Sequence, residues 1–151
     1  MRSLKNLKLI HLLLPLSWLI FAVLSLYLVE THKLKPRISE DYLLVPGFIG
    51  MAIVFAMAIG QGFKSKLNSI RRGHETLEHK FVKLSSSAIR IWIITQGICL
   101  VALLGYMLTG RLIFVVTSAV LMLFVFNATS PTVSRMANGM GTTEEIIRKE
   151  F

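Results

Sequence analysis

The chain holds one cysteine, four histidines and eight acidic residues in 151 positions, and each scarcity removes a class of chemistry. A lone Cys99 allows neither an internal disulfide nor a Cys-x-x-Cys redox pair. Set within an apolar run, it reads as a small packing residue. All eight acids fall outside the long apolar runs or at their ends, which leaves no carboxylate at depth for acid–base or aspartyl work. His11 stands at the edge of the first run, and His32, His74 and His79 lie in connections, so no imidazole pair is placed to grip a haem. There is no glycine-rich phosphate loop and no nucleophile elbow.

One stretch approaches a metallopeptidase signature, His74-Glu75-Thr76-Leu77-Glu78-His79. A zincin needs its second histidine four residues after the first, and here it comes five after. The inverted motif fails by one residue in the other direction. On a helix the two imidazoles stand about 500° apart, which is about 140° after one full turn is removed. They cannot chelate one metal from a regular helix. The sequence points to a protein that is not an enzyme and uses no cofactor.

What the chain has in abundance is long apolar sequence. Four runs, about 9–29, 42–61, 86–108 and 112–129, carry no charge toward their centres. Each is close to the ~20 residues a helix needs to cross a hydrocarbon core of ~30 Å. Strand-like alternation is absent from them, and a single apolar run satisfies its backbone in lipid only as a helix. The expected fold is an all-α membrane protein, with four transmembrane helices in one antiparallel bundle and no second domain. Formal charge +9 would suggest nucleic acid in a soluble domain, but 54% of the residues are hydrophobic and the charges lie between and beyond the runs. No nucleic-acid partner is expected.

Arg2, Lys5 and Lys8 ahead of the first run also fit a signal peptide. The run exceeds the ~7–15 residues of a signal-peptide core, and no small-x-small cleavage site follows it. It is expected to be retained as a span. With four spans, 13 of the 17 basic residues fall on the face that carries both termini. The positive-inside rule then places both termini in the cytoplasm, with Tyr27, Tyr42 and Tyr106 near the opposite interface.

Within the spans, Pro15 removes a backbone donor and is expected to bend the first helix. Trp18, near its middle, reads as a packing residue. The second run carries Gly50, Ala52, Ala56 and Gly60, small residues that let helices approach closely. They mark this helix as central in the bundle or as the face that meets another copy. Thr109-Gly110-Arg111 is a tight connection between the last two spans. Thr95 and Gln96 are the polar groups at depth, suited either to line a path or to make one interhelical hydrogen bond of ~0.6–2 kcal/mol.

Between the second and third spans, segment 63–85 alternates an apolar face (Phe63, Leu67, Ile70, Leu77, Phe81, Leu84) with Lys64, Lys66, Arg71, Arg72, Lys80 and Lys83. Two readings follow. The segment lies in the interface, apolar face down, held by anionic lipid headgroups. Gly73 can divide that helix into two shorter pieces. Alternatively the segment is an ordinary cytoplasmic helical hairpin whose basic residues only enforce topology. The tail, 130–151, reads as two short helices. Ser130 caps the first with Pro131 in its opening turn, and a threonine at 142 or 143 caps the second. Such a tail can bind a partner protein or fold under the bundle.

The size and four-span plan resemble the small multidrug-resistance exporters, which act as dimers of four-helix subunits. That resemblance implies an oligomeric transporter, coupled to protons through a Glu inside the first span. No acid occurs in 9–29, and Glu30 stands only at its outer end. The plan is also similar to that of small bacterial inner-membrane proteins, which implies the cytoplasmic membrane. The leading expectation is an accessory or scaffolding membrane protein that works through helix–helix and membrane-surface contacts, with a membrane-protein partner or a homo-oligomer. The alternative is a small transporter or exporter subunit.

Overall fold

A computed structural model describes residues 3–31, 33 and 44–151. The expectation for Tyr42 therefore lies outside the described residues. Six helices follow in order: α1 Leu4–Glu30, α2 Leu44–Arg72, α3 Leu77–Thr109, α4 Ile113–Ala128, α5 Val133–Met140 and α6 Glu144–Glu150. Among the described residues there is no strand. Three helices, α1, α2 and α3, are long and apolar enough to span a membrane, and a fourth span arises if α4 and α5 are taken together across their 61° bend. Alone, the 16 residues of α4 reach about 24 Å.

The local signals are physical ones. Ser3 caps α1 by accepting from the Lys5 amide. Gly110 ends α3 with φ 70°, a left-handed conformation that glycine adopts without a Cβ clash. Gly105 lets the α3–α4 hairpin close, because a Cβ there would stand 3.1 Å from the Phe114 ring. The cap of α5 differs from expectation. Thr132, rather than Ser130, accepts from the Arg135 amide, and Pro131 lies before the helix. Gly141, at φ 69°, then separates α5 from α6.

The centre of the bundle is α3, which packs against α1, α2, α4 and α5, whereas the backbones of α1 and α2 do not come close to each other. Its buried positions include Phe81, Ser85, Ala88, Trp92, Thr95, Cys99, Ala102 and Tyr106. These recur at alternating intervals of four and three, the repeat that keeps one seam of a helix turned inward. Small residues along this seam let α1 and α4 approach, and the bulky ones fill the layers between. Of the two roles expected for the second span, central in the bundle or facing another copy, the central place falls to α3, while α2 contacts α3, α4 and α5. Tyr106 lies in the last turn of α3 and is buried beside Phe48, Ala102 and Phe114.

Large apolar side chains are exposed on α1 from Leu9 to Tyr27, on α2 from Leu44 to Met57, on α3 from Ile93 to Leu108, and over 112–124. Among the described residues, the large apolar side chains exposed outside this belt are Val82 and Ile146. An apolar girdle of this extent is consistent with an all-α membrane bundle. On α3 the belt begins beyond Arg90, later than the expected start at Ser86.

Both α2 and α3 run past the belt. At 29 and 33 residues they extend about 43 and 50 Å against a ~30 Å core. Their extensions form the hairpin reading of segment 63–85, with the turn at 73–76. The alternative of a separate helix lying apolar face down is not what the structure shows. Ile70, Phe81 and Leu84 are buried, and Phe63, Leu67 and Leu77 pack beside them. What covers this face is the tail: Met136, Ala137, Met140 and Ile147 join the same core as Leu4 and Leu7 of α1. Phe151 stacks on Phe81 at 4.2 Å, and its carbonyl accepts from the Leu4 amide. The tail therefore folds under the bundle, and a small helical lobe closes the end that carries both termini.

Candidate functional site

Two groups of polar residues mark the molecule, one inside the bundle and one where the belt meets the lobe. Inside, Gln96 is buried and its Nε2 donates to Ser17 Oγ at 3.1 Å, joining α3 to α1. Ser17 in turn donates to the Leu14 carbonyl. Thr95 is buried and donates to Ile91 O within its own helix. The structure thus gives Gln96 the interhelical hydrogen bond and gives Thr95 no partner on another helix. Gln96 Oε1 and Trp18 Nε1 are buried without partners. Replacing Gln96 with leucine removes one interhelical bond and one unpaired acceptor together. The stability change is expected to stay within about 1 kcal/mol. Thermal denaturation of the detergent-solubilised variant checks this, and a loss of several kcal/mol would contradict it.

At the belt–lobe boundary α4 ends, and its last carbonyls need donors. Thr129 supplies its amide and hydroxyl to Val125 O, and it also accepts from the Trp92 indole at 2.7 Å. Phe126 O lies 2.9 Å from His11 Nε2, and since a carbonyl only accepts, the imidazole donates from that nitrogen. Asn127 O receives the Arg135 guanidinium and the Ser130 amide. The His11 ring meets Trp92 edge-on at 4.9 Å, and Trp92 stacks on Phe126 at 5.9 Å. Side chains from α1, α3 and α5 together close the end of α4. The sequence offered a signal for this network, the α3 seam that Trp92 belongs to, but periodicity alone does not name its partners.

Beside the network opens a cleft of about 220 Å³ between α2, α3 and α5. Leu7, Phe63, Leu67, Leu84 and Met136 form its apolar walls. Lys64, Arg71, Asn68, Ser130 and Arg135 form its polar lining, and no carboxylate lines it. Gly139 sets the approach of α5 to this wall, because a Cβ there would overlap Leu67 Cδ2 and stand 3.1 Å from Leu84 Cδ2.

The six expected surface cations separate into different roles. Lys80 is turned inward and donates to Arg71 O and Met140 O, closing the ends of two helices. Lys83 pairs with Glu75 in the turn, and that ammonium holds the Glu75 carboxyl below the usual carboxylate range. Lys64 and Arg71 line the cleft, Arg72 lines the adjoining exposed face of α2 beside Lys64, and Lys66 is exposed. The small residues of α2 also separate. Ala52 is buried, Ala56 is half-buried, and Gly50 and Gly60 are exposed with open space where a Cβ would stand. Ala52 and Ala56 line a shallow groove against Thr117, Val120, Leu121 and Phe124 of α4. Among the described residues no three histidine, cysteine or acidic side chains gather to hold a metal ion.

No protein-family model, curated protein or solved structure matches the chain.

Proposed function

We propose that the chain is a four-span protein of the bacterial inner membrane, with both termini in the cytoplasm. In this reading it serves as an accessory or scaffolding subunit without catalytic machinery. The observation that carries the accessory reading is Gln96, the deepest side-chain amide. It bonds to Ser17 of a neighbouring helix, as an element of bundle architecture does, and the belt around it is free to meet another membrane helix. The 13 basic residues on the termini face support the orientation. A single cysteine at Lys66 in a Cys99→Ser background should be labelled by an impermeant maleimide only in inside-out vesicles. Labelling in right-side-out vesicles alone would reverse the topology.

In the α2–α4 groove a partner helix would meet Ala52 and Ala56, where close approach substitutes for a hydrophobic driving force that lipid does not supply. Ala56→Leu fills that groove. Membrane insertion is expected to persist while the complex recovered in mild detergent loses its partner, as read on a native gel with mass spectrometry of its components. A complex of unchanged size and composition would refute the groove as the contact.

The second reading, an oligomeric transporter subunit, draws on the unpaired Gln96 Oε1 and Trp18 Nε1. It requires Gln96→Leu to abolish flux in a reconstituted assay while assembly survives.

A further inference from the structure

The basic cleft does more than decorate the termini face. Its opening adjoins the end of the belt, where Ala128 and Thr129 finish α4 and Phe63 and Lys64 follow the last exposed large apolar residue of α2, Met57. That is the depth at which lipid headgroups surround a protein whose belt lies in hydrocarbon. Among the described residues Lys64 and Arg71 have no ion-pair partner, and both are exposed along the cleft. Arg135 is held by Asn127 O and Ser130 Oγ, so part of its guanidinium is fixed at the wall. Two uncompensated cations and a third fixed one, with no carboxylate among them, favour a phosphate ester, and the apolar walls favour one joined to hydrocarbon.

We infer that the cleft binds the phosphodiester headgroup of one anionic phospholipid from the surrounding leaflet. The occupant is a lipid rather than a soluble phosphate because the mouth adjoins the belt and Leu7, Phe63 and Leu67 line the wall. The cleft is too small for a whole lipid, so the acyl chains remain in the bilayer beside α2. The inference rests on the membrane reading above and narrows its basic surface from a diffuse field to one site. Lys80 and Lys83 are excluded from it by their own bonds.

The test uses the full chain in a neutral detergent, titrated with phosphatidylglycerol or with phosphatidylcholine of the same acyl length, bound lipid being counted by native mass spectrometry. The wild type is expected to retain one phosphatidylglycerol per chain in preference to phosphatidylcholine. Lys64→Gln with Arg71→Gln should weaken that binding roughly twentyfold, about fivefold per cation. Lys66→Gln with Lys149→Gln removes the same charge outside the cleft and should change it less than about twofold. All four side chains are exposed, and size-exclusion profiles of both variants should match the wild type.

No preference for the anionic lipid, or an equal loss in both double variants, overturns the site. Displacement of the lipid by equimolar inorganic phosphate would also overturn it, by making the ligand a soluble phosphate. The membrane reading fails separately, if carbonate washing strips the protein from membranes.

Discussion

Trp92→Ala is expected to destabilise the protein by about 3 kcal/mol or more and to loosen the join between α1, α3 and α4. Trp92 is fully buried on the α3 seam, stacks on Phe126, meets His11 and donates to Thr129. In lipid the transfer term that dominates soluble cores contributes little between helices, so packing decides the outcome. An indole leaves a void on the order of 140 Å³, and at ~24 cal/mol per Å³ the void alone costs about 3 kcal/mol. The lost hydrogen bond adds about 1 kcal/mol. Thr129 Oγ1 still donates to Val125 O, so no new unpaired donor is created. Trp92→Phe keeps a ring in the stack and should cost only about 1–2 kcal/mol. Thermal denaturation of both variants in the same detergent gives the comparison. Equal losses would make the hydrogen bond, rather than the packing, the dominant contribution.

Ile147→Asp is expected to release the tail. Ile147 is fully buried under the lobe, and an ionised carboxylate there without a partner costs several kcal/mol. A seven-residue helix has few contacts to lose, so the cost is capped by undocking: α6 leaves its place before the carboxylate is buried. Phe151 then leaves Phe81, and the Leu4 amide loses its acceptor. The measurement is limited proteolysis of the protein in nanodiscs, with the cut sites read by mass spectrometry. The variant should be trimmed beyond Gly141 at protease levels that leave the wild type whole. Equal resistance would mean that α6 is not held by Ile147. Ile146→Asp, two-fifths exposed on the same helix, serves as the control and should behave as the wild type.

The limits of legibility follow from where the information lies. The seam 81-85-88-92-95-99-102-106 is written in the sequence as a repeat, but the small residues of α2 attract attention first. Small-residue spacing reports that a helix can be approached closely, and it does not report from which side or by what. In the structure Gly50 and Gly60 face open space, while the approached helix is α3. Segment 63–85 illustrates the same ambiguity. An amphipathic pattern fixes which face is covered, and lipid and protein cover an apolar face equally well. The tail, more than 45 residues away in sequence, decided it by placing Met136, Met140 and Ile147 on that face. The cleft was legible only in fragments, because Lys64 and Arg71 stood among six similar cations and Arg135 belonged to a distant segment.

The apolar runs and the excess of basic residues beside them were legible in local composition alone, and uncharged runs of about twenty residues fit a helix in a low-dielectric layer. Local chemistry also set the breaks at Gly73, Gly110 and Gly141. The hub, the covering of the lobe and the roles of the separate cations were set by packing in three dimensions. Those depend on contacts between segments far apart in the chain, where the shape of both partners selects one pairing among many of similar polarity. Lys80 shows the difference most clearly: in the sequence it is one more surface cation, and in the fold it closes the ends of α2 and α5.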